Sequence, residues 1–125
     1  MKIKEIDVSI MGHAWTILSR KKTEDDRLEE IAGYTDPSER LIVLLDAERD
    51  KWSPGNMHQD LQATIRHELI HAFLYECGLW CDSNAHEHWA VNEEMVDWFA
   101  LKLPEIEHAC RAVNAMPGQK LDIVA

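Results

Sequence analysis

Residues 57–76, MHQDLQATIRHELIHAFLYE, constrain the fold more than any other stretch of this chain. Leu61, Ile65, Leu69, Ala72 and Phe73 recur at helical spacing and give one apolar face. Ahead of them, Trp52-Ser53-Pro54-Gly55-Asn56 is a breaker cluster, and Asn56 with Gln59 three residues on has the form of a capping box. Gly78 stands where a C-terminal cap belongs. The pattern predicts a helix beginning near Met57 and running for about twenty residues, roughly 30 Å.

The residues before this helix read mostly as strand. Ile3, Ile6, Val8 and Ile10 are mainly spaced by two, Gly12 marks a bend, and Ala14-Trp15-Thr16-Ile17-Leu18 suits a second strand. The charged segment KKTEDDRLEEIAG, with Leu28 and Ile31 three apart, predicts a short helix ending near Gly33. Tyr34-Thr35-Asp36-Pro37-Ser38 reads as a turn with Pro37 at its second position. RLIVLLD at 40–46 is the clearest strand, apolar on both faces and so interior to a sheet. Beyond Gly78, a loop at Asp82-Ser83-Asn84 precedes a helix expected within 86–103, carrying Val91, Met95, Trp98, Phe99 and Leu103. Pro104 is expected to end it, since proline removes a donor and clashes with the preceding turn. A short C-terminal helix over Glu105–Ala115 then runs to Pro117-Gly118, and the LDIVA tail is too short to place. With 125 residues and no repeat, linker or composition shift, one domain over 1–125 is expected, strands mostly in 1–46 and helices in 57–115. The fold class is α+β.

Thirteen Lys+Arg against 23 Asp+Glu leave a net charge of −10, which argues against nucleic acid as a partner. The longest apolar runs are a few residues, such as LIVLL, so no membrane span is expected, and the first twenty residues hold no signal-peptide core. Three cysteines, an odd number, suit free thiols in a reducing cytoplasm better than a disulfide framework. Seven histidines are a richer supply, and five of them fall between His58 and His88.

Residues 67–71 read His67-Glu68-Leu69-Ile70-His71, an HExxH. Spacing of four puts both imidazoles on one helix face, where they can reach a single Zn²⁺. Glu68 is offset by about 100° around the helix, beside the metal, where a general base acting on activated water is needed. A catalytic zinc takes three protein ligands and keeps one open position. In the next helix Glu93 and Asp97 lie four apart on one face. Glu93 as third ligand, with Asp97 accepting the free N–H of a ligating histidine, meets both demands together. Glu94 points elsewhere. Other chemistry competes for the same residue types. Cys77, Cys81, His86, His88 and Cys110 could hold a structural zinc, although Gly78 separates the first two thiols and favours buried, inert cysteines. His86, His88, Tyr34 or His13 could stabilise an oxyanion. His58 and His108 read as surface histidines, Trp15, Trp52, Trp89 and Trp98 as packing, and Trp80 as a candidate for an exposed interface.

HExxH followed some twenty residues later by ExxxD on a second helix resembles the gluzincin metallopeptidases, and the wider context is similar to their compact ImmA/IrrE-like branch, common in phages and mobile elements. RLIVLLD, IRHELIHAFLYECG and EEMVDWFALKLP carry the likeness, which covers roughly residues 33–104. It implies a Zn²⁺-dependent peptidase with His67, His71 and Glu93 as ligands and Glu68 as general base. It also implies a small mixed, mainly antiparallel sheet packed on the active-site helix, with a protein or peptide substrate lying extended along an edge strand. Two other readings stay open. A non-enzymatic, zinc-stabilised interaction or regulatory module would keep the metal and use its acidic surface on a basic partner. A zinc hydrolase acting on a non-peptide amide would need the same motif. Oligomeric state is not legible in the sequence.

Overall fold

In a computed structural model the chain is described over residues 1–79 and 93–124, apart from the side chains of residues 93, 96, 97 and 100. Four strands form one mixed sheet: β1 (Ile6–Ile10), β2 (His13–Arg20), β3 (Gly33–Asp36) and β4 (Leu41–Leu45), in the spatial order β1-β2-β4-β3. β1 and β2 are an antiparallel hairpin, β2 and β4 run parallel, and β3 returns antiparallel along β4. The hairpin turns through Met11 and Gly12, with φ of 50° and 83°, the doubly positive pair that a two-residue turn needs to match strand twist. β4 sits inside the sheet, as its two-sided apolar pattern requires. Ile42 and Leu44 face the main core, Val43 alternates to the opposite face, and all three are fully buried.

Two expectations for residues 21–38 need correction. The expected helix before Gly33 is one 3-10 turn, Asp26–Leu28, capped by the Asp25 side chain. The expected turn at Tyr34–Ser38 is strand β3 as far as Asp36, and the chain turns only afterwards, with the Arg40 N–H donating to the Pro37 carbonyl. A β carbon on Gly33 would lie 2.9 Å from the Val43 carbonyl oxygen, so the residue that looked like a helix terminator instead permits close strand approach.

Helix α1 spans Met57–Glu76. Asn56 caps it by accepting from the Gln59 N–H at 3.0 Å. Its C-terminus closes through Gly78 at φ 77°, with Gly78 N–H to the Tyr75 carbonyl and Leu79 N–H to the Leu74 carbonyl, both 2.9 Å, the bond pair of a Schellman motif. Ile65, Leu69, Ala72 and Phe73 are buried in one cluster with Trp15, Ile17, Ile42 and Leu44 of the sheet.

Helix α2 spans Glu93–Ala112 without a break at Pro104, so no separate C-terminal helix begins at Glu105. Proline deprives the ladder of one donor there, but Ile106, Ala109 and Cys110 beyond it are buried in the core, and that packing holds the axis across the defect. The tail is placed after all. Leu121 is buried, and Ile123 bridges to Ile3. His58, Gln62 and Arg66, at intervals of four on α1, clamp this segment: His58 Nε2 accepts from the Leu121 N–H at 2.9 Å, Gln62 Nε2 lies 2.9–3.0 Å from the carbonyls of Asn114, Met116 and Gln119, and Arg66 donates to the Ala115 carbonyl at 2.6 Å. His58 is therefore a structural acceptor rather than an idle surface histidine. No helix among the described residues is long and apolar enough to cross a membrane.

Candidate metal centre

The α1 register turns His67 and His71 to the same side. Their Nε2 atoms are 3.1 Å apart and their ring centroids 4.8 Å apart, with the planes at 74°. Two nitrogens at 2.0–2.1 Å from one tetrahedral ion would lie about 3.3–3.4 Å from each other, so the pair already has the spacing of two ligands of one zinc. One ligand atom from each of His67, Glu68 and His71 falls within 4.8 Å of the others. His67 is exposed, His71 half-buried and Glu68 buried, which leaves the group open on one side. Burial pushes the His71 imidazole below its ordinary pKa, against the upward pull of Glu68 and with a smaller downward push from His67. A neutral imidazole is the form that binds metal.

Glu68 is held from the sheet. Thr35 Oγ1 lies 2.7 Å from Glu68 Oε2 and 3.1 Å from the Glu68 carbonyl oxygen. Alternation along β3 explains the placement. Gly33 and Thr35 face α1, while Tyr34 and Asp36 face away, with the Arg27 guanidinium 4.8 Å from the Tyr34 ring centroid and 3.6 Å from the Asp36 carboxylate. Thr35 is the site residue that sequence reasoning missed; the turn-like string YTDPS gave no sign that its threonine would meet the helix.

Other candidates are engaged elsewhere. The Tyr34 hydroxyl donates to Asp25 on the far face of the sheet. His13 lies 3.5 Å from Glu76, the last residue of α1 and five residues beyond His71. Cys110 is buried and its thiol is pushed up by desolvation, as an inert core cysteine should be. Cys77 is only half-buried, its sulfur 3.3 Å from Met11 Sδ. Trp15 is core and Trp98 packs against it, whereas Trp52 is 82% exposed, contrary to the packing role expected of it. Glu93 opens α2, but its side chain and that of Asp97 lie outside the described residues, as do Trp80, Cys81, His86, His88 and Trp89.

A cavity of about 430 Å³ adjoins the cluster, bounded by Ile31 and Ala32 before β3 and by Asp60, Ala63, His67 and Glu68 on α1. A larger open depression of about 640 Å³ lies toward the start of the helix, between Arg49 and His58, away from the histidine pair. There the Arg49 guanidinium is taken up by the carbonyls of Pro54 and Gly55. The smaller cavity is the one that chemistry at Glu68 could use. Compared with known protein families, with curated proteins and with solved structures, the chain matches none.

Proposed function

We propose that this protein is a zinc-dependent metallopeptidase of the minimal gluzincin type, hydrolysing peptide bonds in the cytoplasm. The observation that carries the reading is the 3.1 Å convergence of His67 and His71 Nε2 beside the buried Glu68 carboxylate. In this reading His67, His71 and Glu93 hold the metal, and the sheet packed on the HExxH helix is their scaffold. Zinc, when bound, supplies a Lewis acid that lowers the pKa of water and polarises a carbonyl. Were both Nε2 atoms to ligate the ion, each ring would present its Nδ1–H to an acceptor, and Asp97 would take one of them and fix the ring.

Glu68 is the general base. Thr35 occupies its Oε2, which leaves Oε1 to take a proton from water and pass it to the leaving amine. The hydrogen bond also fixes the carboxylate's rotamer, so proton transfer needs no search for geometry. A substrate peptide lies extended along β3, the strand at the sheet's edge nearest the histidines.

Zinc content and hydrolysis of a peptide library by wild type and Glu68→Gln test this together. About one zinc per chain in both proteins is expected, with hydrolysis reduced by about 10²–10⁴ in the variant. Equal cleavage by the two would sink the mechanism. Zinc bound with no peptide cleaved would favour the zinc-stabilised interaction module instead.

A further inference from the structure

A second cavity adjoins the one beside the histidines. The second, about 170 Å³, shares Ala32, Asp60 and Thr64 with the first and extends past Leu45 and Leu61 to Met57. Side by side they form a groove along the N-terminal half of α1, with Asp60 in the wall of both. Its walls are largely apolar: Ile31, Ala32 and Ala63 on one stretch, Leu45, Leu61 and Met57 on the other. Apart from His67 and Glu68 themselves, Asp60 is the one ionisable side chain lining the part that reaches the cluster. Its carboxylate has no hydrogen bond or ion pair among the described residues; its backbone is engaged instead, the N–H donating to the Asn56 carbonyl and the carbonyl accepting from Thr64 Oγ1, both at 3.1 Å.

The placement matters. Asp60 precedes His67 by seven residues, two helical turns, or about 10 Å along the axis. A side chain entering from a peptide bond held at the histidines passes apolar walls first and meets a carboxylate at its tip. Lysine and arginine have that layout, an apolar stem with a terminal cation, and no other side chains do. An acidic side chain would be driven out by Asp60 and by the chain's overall charge of −10, which also draws cationic peptides toward the surface.

We infer that the groove selects substrates with a lysine or arginine next to the scissile bond, Asp60 being the residue that determines this specificity. The inference rests on the proposed hydrolytic site, because the groove ends at His67 and Glu68.

Affinity separates the two ideas. Labelled alanine pentapeptides carrying one Arg, one Glu or neither beside the central amide are titrated against zinc-loaded Glu68→Gln protein, in which hydrolysis is blocked. The Arg peptide should bind about tenfold to a hundredfold more tightly than the alanine peptide. Adding Asp60→Asn should bring that ratio close to one, and Asp60→Lys should transfer the preference to the Glu peptide. Asp60 is exposed on the first turns of α1, so these changes disturb no packing. Equal affinity for the three peptides, or an Arg preference that survives Asp60→Asn, overturns the inference, as does the absence of binding. An Arg preference that depends on Asp60, with no cleavage by wild type, supports the groove and overturns the peptidase.

Discussion

Thr35 shows what a single hydroxyl can do for a buried carboxylate. Removing it while keeping its shape, as Thr35→Val does, leaves Glu68 Oε2 without its donor and the rotamer unfixed. The expected result is a kcat about tenfold lower with zinc content unchanged, and most of the rate restored by Thr35→Ser. A residue that only packed would not separate serine from valine in this way. Glu76 shows the same economy at the C-terminal end of α1. Its side chain is 5% exposed and accepts from Arg40 Nε at 2.7 Å and Trp15 Nε1 at 3.0 Å, with His13 beyond. Burial alone would raise this carboxyl; the Arg40 hydrogen bond, the Trp15 bond and the Arg40 and His13 charges outweigh it and hold its pKa below the ordinary value. A depressed pKa means that the folded state binds fewer protons, so the stability from this group is present above about pH 4.5, the ordinary glutamate value, and is lost as pH falls through the lower folded one. Glu76→Gln should therefore be less stable than wild type at neutral pH, and the gap in denaturant midpoint should close on acidification below that value. Legibility at this scale divides cleanly. His67, Glu68 and His71 could be read because their geometry is local, set by the helix alone. Thr35 and His58 could not, because each acts on a partner 33 or 63 residues away.

Element boundaries were legible where a side chain or a glycine sets them. Asn56 and Gly78 bracket α1 as the sequence suggests, and the Met11-Gly12 turn falls at the bend read from Gly12. They were misread where tertiary contacts overrule a local signal. Pro104 looks like a terminator and is not one, because the buried residues on the following turns gain more from staying in register than the helix loses at the proline. Gly33 and Pro37 likewise resemble loop residues, yet β3 forms because β4 offers it a ladder. Pro104→Ala tests the argument for α2. Pro104 is exposed, so the substitution removes little packing and restores a missing backbone donor. Stability should rise by about 1–3 kcal/mol, read as a higher urea midpoint at constant slope. A fall would mean that Pro104 contributes something beyond the missing donor.

At the scale of the whole molecule, the proposed zinc site would tie metal binding to folding. If His67, His71 and a third ligand hold zinc only in the native state, free metal at a hundred times its dissociation constant adds about 2.7 kcal/mol. For a chain of this size, that raises Tm by about 10 °C, and a chelator should return it to the starting value. A melting curve indifferent to both zinc and chelator would remove the metal from the account of this site. The coarse α+β class was readable from the order of patterns, strands before helices, because that order is a property of the whole chain. The strand order was not, since nothing local says that β4 will be inserted between β2 and β3.

That insertion sets a timetable for synthesis. The hairpin of β1 and β2 can close as soon as residue 20 has left the ribosome, since its partners are adjacent. β3 has no neighbour in the sheet except β4, so it waits, unpaired, for residues that follow it. Thr35 then reaches Glu68 only after α1 has been made and has docked. The carboxylate is thus fixed later than the hairpin, and a nascent chain that ends between residues 68 and 76 carries Glu68 before α1 is complete.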